Sequence, residues 1–162
     1  MSKIAIVMGS DSDFRIMKDA YDLLLEFGHT ADVEVLSAHR TPERMIQWGK
    51  AAADNGYSVI IAGAGGAAHL PGMLASVTSL PVIGVPVSLS KLDGMDSLLS
   101  IVQMPAGVPV ATVSIDGAKN AALLALRILG TSDKAMLKKM DSYRNQLTHQ
   151  VLEKDAKLKS SL

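Results

Sequence analysis

The sequence predicts an α/β fold, a three-layer doubly wound sandwich around a central five-stranded parallel sheet with a long C-terminal helix. Three observations carry this. Short apolar runs alternate with stretches of helical periodicity. The links between them are short, and strand–helix–strand order with short links means parallel strands joined by right-handed crossovers. From Asn55 to Ser90 there is no Asp, Glu, Lys or Arg, a composition suited to strands buried on both faces. Gly63, Gly65, Gly66, Pro71, Gly72, Pro81, Gly84 and Pro86 interrupt that span, so it does not read as a lipid-spanning helix of about 20 apolar residues.

The elements follow in order. Ile4–Met8 is a buried-type strand, and Gly9-Ser10-Asp11-Ser12-Asp13 follows it. Phe14, Met17, Tyr21, Leu24 and Leu25 then recur at helical spacing until Gly28 stops the helix. Val33–Leu36 is the second strand. Thr41-Pro42-Glu43 supplies an N-cap, a proline at the first helical position and an acid in the first turn, and that helix runs to Asn55-Gly56. Val59–Ala62 and Leu80–Val85 are the third and fourth strands. Val108–Val113 is the fifth, at an edge because of Pro109. A helix spans Asp116 to Gly130, and a longer one runs from Asp133 to Leu158 with an apolar stripe of Leu137, Met140, Tyr143, Leu147 and Val151. That stripe needs a partner, either its own sheet or another subunit. No linker or repeat divides residues 1–162, so the expectation is one domain of flavodoxin-like architecture, with 133–158 as a C-terminal helix.

Composition narrows the function. Sixteen basic and sixteen acidic side chains cancel, which leaves no global field for nucleic acid or an anionic membrane, so any anion site must be local. One Trp, three Tyr and two Phe give little for stacking bases. There is no cysteine, hence no disulfide framework and no thiol nucleophile. Met1-Ser2-Lys3-Ile4 leads directly into a strand without a signal-peptide h-region, and a cytoplasmic protein is expected. His29, His39, His69 and His149 show no metal-ligand spacing, and neither a Walker motif nor a Gly-x-Ser-x-Gly elbow occurs.

Ligands in such sheets lie beyond the carboxyl ends of the strands at a topological switch point, which singles out three loops. Gly63–His69 pairs small residues with a following helix start, where backbone N–H groups approach an anion. Its Gly63-x-Gly65-x-x-Ala68 spacing fits the dinucleotide fingerprint only weakly, because it follows the third strand and no acid stands about 20 positions later. The bland alternative is tight helix–sheet packing. Gly9–Asp13 reads either as a helix N-cap or as a phosphate and ribose site. In Ser37-Ala38-His39-Arg40, the arginine is suited to a bidentate phosphate contact and the histidine to proton exchange near neutral pH. Residues alone thus point to a small phosphate-bearing molecule.

Three stretches, MGSDSD at 8–13, SAHRTPER at 37–44 and GAGGAAHLPGM at 63–73, together resemble the PurE family of purine biosynthesis. GVPV at 84–87 and DSLLSIVQMPAGVPVATV at 96–113 extend the likeness over essentially the whole chain, and the third loop looks like the bacterial class I form. The resemblance implies 5-(carboxyamino)imidazole ribonucleotide mutase activity without metal, biotin or nucleotide cofactor, in a homo-octamer, and the helix at 133–158 is expected to pack on a neighbouring subunit. It implies His39 as the catalytic proton-transfer residue and Ser10, Asp13 and Arg40 as substrate-binding residues. Ser12, Ser37, Ala38, Gly65, Gly66 and His69 would line the same pocket. The rival readings are a carboxylase using aminoimidazole ribonucleotide and free CO2, and a non-catalytic nucleotide-binding module. The polar loop Lys91-Leu92-Asp93-Gly94 is expected near the pocket or an interface.

Overall fold

Five strands line up in the order β2-β1-β3-β4-β5, and the apolar runs of the sequence form their cores. A computed structural model describes residues 3–162. The strands are β1 (Lys3–Met8), β2 (Ala31–Val35), β3 (Tyr57–Gly65), β4 (Val82–Val87) and β5 (Ala111–Thr112). All four pairings are parallel, and Ile6 faces Val33 on one side and Ile61 on the other. Ile4 to Val7 and Val59 to Ala62 are fully buried, as strands covered on both faces must be. Burying an Ile or Val side chain contributes about 1.5–3 kcal/mol relative to leaving it exposed, so the three central strands dominate the apolar stabilisation.

The chain forms two compact units, Met1–Ala125 and Leu126–Leu162. In the first, α1 (Phe14–Glu26), α2 (Pro42–Ala51), α3 (Leu70–Ala75) and α4 (Met95–Val102) alternate with the strands. Right-handed crossovers put α1 on one face of the sheet and α2, α3 and α4 on the other, because strand order reverses after β2. α1 buries Met17, Ala20, Leu23 and Leu24. It ends where Gly28 turns to φ 71° and the His29 N–H reaches back 2.9 Å to the Leu24 carbonyl. α5 (Ala118–Gly130) spans the boundary between the units. In the second unit, α6 (Lys134–Lys159) starts where Asp133 accepts the N–H groups of Ala135 and Met136 at 2.8 and 3.1 Å, an N-cap of the favoured type. Along its length Leu137, Leu147, Val151, Leu152 and Leu158 are exposed. No helix among the described residues is long and apolar enough to cross a membrane.

Several bounds differ from the sequence expectation. β3 runs to Gly65 rather than stopping at Ala62, because its small residues let a strand continue beneath α1. A Cβ on Gly63 would lie 2.3 Å from the Met17 Sδ, so tight helix–sheet packing explains that glycine. β4 is displaced to 82–87 and takes in the whole GVPV run. β2 begins at Ala31, two residues early. β5 keeps its edge place but shrinks to Ala111–Thr112, since Pro109 lacks a ladder donor and the chain before it turns, the Val108 N–H bonding the Pro105 carbonyl at 3.2 Å. α2 ends at Ala51 and hands over to turns that close at Gly56, φ 84°. α4 was not expected as a helix, and it supplies the buried Ser97 and Ile101.

Gly84 marks where α3, α4 and the sheet meet. A Cβ there would approach Ile101 Cγ2 to 2.5 Å and Val110 Cγ1 to 2.9 Å, and both neighbours are β-branched and stiff at χ1. Gly84→Ala is expected to lower stability by about 1–3 kcal/mol through overpacking, read as a lower urea midpoint. A midpoint unchanged from the parent protein refutes this account of the contact.

Candidate active site

The reversal of strand order beside β1 opens a crevice at the carboxyl ends of β1, β2 and β3. β1 leaves the sheet through Gly9, whose N–H still bonds the Gly63 carbonyl at 3.1 Å. The chain then tightens into a 3₁₀ turn at Asp11–Asp13. The Ser10 N–H donates to Asp13 Oδ2 at 3.1 Å and the Asp13 N–H returns to the Ser10 carbonyl at 3.1 Å. Asp13 is 5% exposed. Burial raises its pKa above 3.8, against the lowering effects of the Ser10 N–H, Arg15, the Gly9 N–H and Arg40. The Ser12 hydroxyl donates to Ser10 Oγ and the Ser10 hydroxyl to Asp11 Oδ1, each at 3.1 Å, so both hydroxyls are kept at the surface of the crevice.

β2 delivers the second loop. Ser37 is buried, and its Oγ accepts both the backbone N–H of Arg40, at 3.2 Å, and Nε–H, at 3.1 Å. Arg40 Nη2 crosses to the Gly9 carbonyl at 3.1 Å, fastening this loop to the first. Thr41 stands at the N-cap position, but its hydroxyl turns back. It accepts the Ser37 N–H at 3.2 Å and donates to the Ser37 carbonyl at 3.1 Å, with no side-chain bond to the helix. The threonine closes the loop instead of capping the helix.

β3 delivers the third. Gly66 adopts φ 69°, a conformation that costs glycine nothing, and the chain then turns through Ala67 and Ala68 to His69 before α3. His69 Nδ1 lies 2.7 Å from His39 Nε2, with the rings nearly perpendicular at 85°. One of these nitrogens must be protonated and the other bare, since two N–H groups cannot face each other at that distance.

A cleft of about 200 Å³ is lined by Ser10, Ser12, Asp13, Ser37, Ala38, His39, Arg40, Gly65 and His69, together with Gly9, Ala64, Ala67, Leu70 and Leu89. Of the ten residues singled out in the sequence, only Gly66 falls outside this lining. Its N–H donates to the Ser97 hydroxyl at 2.8 Å and is therefore not free for an anion, contrary to the expectation for this loop. Leu89 and Ser97 were missed. Leu89 stands just beyond the carboxyl end of β4, so the strand-end rule could have found it, whereas Ser97 carries no sequence signal. The Lys91–Gly94 loop forms a 3₁₀ turn with Leu92 at φ 58° and Asp93 at φ 51°, and it contributes nothing to the lining. Among the described residues no group of three or more His, Cys, Asp or Glu is placed to hold a metal ion.

The cleft thus joins one arginine, one largely buried carboxyl group, small hydroxyls and a pair of imidazoles to walls of Ala and Leu. Known proteins resemble the chain in sequence and in fold. The chain is 59% identical over 156 residues to the N5-carboxyaminoimidazole ribonucleotide mutase of Mycobacterium leprae, covering 96% of this chain and 91% of that protein. It is 56% identical over 158 residues to the protein of that name from Thermotoga maritima, covering 98% and 92%. The crystal structure of Treponema denticola PurE superposes with a TM-score of 0.89 at 29% identity, covering 98% of this chain and 99% of that one. The family model described as AIR carboxylase matches residues 3–150, and with relatives this similar along nearly its whole length, the chain belongs to that family.

Proposed function

We propose that this protein is an N5-carboxyaminoimidazole ribonucleotide mutase, an isomerase of purine biosynthesis. The observation that carries the reading is the contact of His39 with His69 beside Arg40, in one cleft at the switch point of the sheet. The reaction breaks the bond between the exocyclic nitrogen and the carboxylate, and the electron pair returns to nitrogen as CO2 forms. The electron-rich ring carbon four then attacks the same CO2, its hydrogen leaves as a proton, and the nitrogen takes up a proton. Atoms and charge balance without any external reactant.

The residues divide the work. Arg40 uses Nε and Nη2 to hold the loops together; three of its five N–H donors remain for the substrate phosphate. Asp13 and the hydroxyls of Ser10, Ser12 and Ser37 suit ribose hydroxyls and phosphate oxygens. His39 takes the proton from the ring carbon, and His69 fixes which His39 nitrogen carries hydrogen. The Ala38, Ala64, Ala67, Leu70 and Leu89 side of the cleft suits CO2 better than a carboxylate, because desolvation disfavours the charged form. Holding CO2 against its acceptor replaces a bimolecular encounter with an intramolecular one. We place the enzyme in the cytoplasm as a homo-octamer, with the exposed apolar side chains of α6 covered by a neighbouring subunit.

The deciding experiment follows a substrate whose transferable carboxylate carries ¹³C, by NMR, without ATP or added metal. The label is expected to appear on the ring carbon of the product. Dependence on ATP or metal, or product labelled only from free ¹³C-bicarbonate, rejects the mutase and in the second case favours the carboxylase. His39→Asn is expected to reduce kcat by about 10²–10⁴, the usual worth of a general acid–base group, while substrate still binds; undiminished turnover removes His39 from the mechanism.

Asp13 provides a test by pH. Its carboxyl is raised in the folded state, so ionised Asp13 opposes folding at neutral pH. That cost fades as pH falls through the native pKa towards 3.8, the ordinary value for an unfolded aspartate. Asp13→Asn should therefore compare most favourably with the parent protein near pH 7, and the comparison should move against it near pH 4, by urea denaturation. The opposite drift contradicts the raised pKa. Truncation before Asp133 is expected to break the oligomer, measured by light scattering, and an undiminished octamer excludes α6 from the interface.

A further inference from the structure

We infer that Ser97, which lies outside the lining of the cleft, is a positioning residue for the imidazole pair: its hydroxyl sets the turn at Gly66, and that turn sets His69 against His39. The kinetic part of the test rests on the mutase reading above; the spectroscopic part does not.

Ser97 is completely buried on α4. A serine inside a helix ordinarily bonds the carbonyl four residues back, as Ser100 does with Asp96 at 2.7 Å, its hydroxyl lying 3.3 Å from the Gly66 carbonyl as well. Ser97 instead reaches away from its helix. Its hydroxyl donates to the Val87 carbonyl at 2.7 Å and accepts the Gly66 N–H at 2.8 Å. A carbonyl cannot donate and an amide N–H cannot accept, so the direction of both bonds is settled and the hydroxyl has one orientation. Val87 ends β4 opposite Gly65 of β3. Ser97 therefore bridges the two strands at the point where β3 leaves the sheet for the cleft.

Little slack separates that bridge from the histidines. The Gly66 carbonyl accepts the Ala68 N–H at 2.8 Å, and the Ala67 carbonyl accepts the His69 N–H at 2.9 Å. With φ 69° at Gly66, these successive tight turns fix the direction in which the chain arrives at His69. The side chain so delivered meets His39 at 2.7 Å, a hydrogen bond that a displacement of about 1 Å would break. Removing the Ser97 hydroxyl leaves the half-buried Gly66 N–H and the Val87 carbonyl without this partner. The Gly66 N–H can recover one by rotating towards the solvent of the cleft, which swings Ala67 and His69 with it.

The test uses two variants of the full chain, so that a failure of one to fold leaves the question decidable. Ser97→Ala removes the bridge from the α4 side. Gly66→Ala disturbs the same turn through its positive φ, with only the side chain of Leu89 near the new methyl, at 3.3 Å. Each folded variant is assayed for kcat and KM on the carboxyamino substrate, and its histidine ring nitrogens are followed by ¹⁵N NMR. The expected result is a fall in kcat of about 10²-fold, the usual penalty for a small misplacement at a reacting centre, with KM little changed. The His39 Nε2 and His69 Nδ1 signals should also move towards those of unpaired rings. Retained kcat in a folded variant overturns the inference whatever the imidazole signals do, and so does lost kcat with those signals unmoved. Should the parent protein lack mutase activity, that result counts against the proposed function, and the imidazole signals alone decide the role of Ser97.

Discussion

One residue, Gly9, holds the site together through its backbone. Its N–H bonds the Gly63 carbonyl in β3 at 3.1 Å, and its carbonyl accepts Arg40 Nη2–H from the loop after β2 at 3.1 Å. The central strand of the switch point is thus tied to both neighbours just where it leaves the sheet. A bond from a charged donor contributes about 1.5–3 kcal/mol net, more than the ordinary ladder bonds below it. Ser37 amplifies the arrangement by receiving two N–H groups of the same arginine. The guanidinium is then already ordered before any anion arrives, which lowers the entropic cost of binding.

The glycines of the third loop divide among three duties that composition cannot separate. Gly63 lets α1 approach the sheet, since Met17 occupies the place of its missing side chain. Gly66 supplies a positive φ and directs its N–H away from the cleft to Ser97. Only Gly65 lines the cavity. A glycine-rich stretch after a strand reads the same in sequence whether it serves packing, a turn or a ligand. The difference lies in which atoms from α1 and α4 come to meet it.

That division explains how much was legible beforehand. The apolar runs and helix stops identified the parallel sheet and its long last helix, because burial on both faces leaves a compositional record. That His39, Arg40 and Asp13 would meet in one cleft was legible from the three loops together, since each loop alone also had an ordinary structural reading. The length of β5 was not, since Pro109 acts through the ladder donor it lacks. Thr41 was misjudged for a different reason: its hydroxyl had two competing backbone partners, and the loop at Ser37 won over the helix. Ser97 was invisible because its significance is a contact thirty-one residues distant in sequence.

The charges lining the cleft agree with the proposed reaction, which creates and then consumes a neutral gas. Arg40 is the one arginine of the lining, and its hydrogen bonds draw it towards Ser37 and Gly9. Asp13 is pushed towards its neutral form by burial. The two histidines share a hydrogen bond across 2.7 Å, so one ring can pass a proton without either needing a counter-ion in the apolar part of the site. A permanent cation held against the departing carboxylate would stabilise the reactant more than neutral CO2 and raise the barrier, since only interactions stronger in the transition state accelerate a step. Binding strength belongs on the phosphate, which does not change, and proton transfer belongs to groups that can be neutral. In the proposed mechanism, those two tasks fall to an arginine locked by its own loop and to a pair of imidazoles.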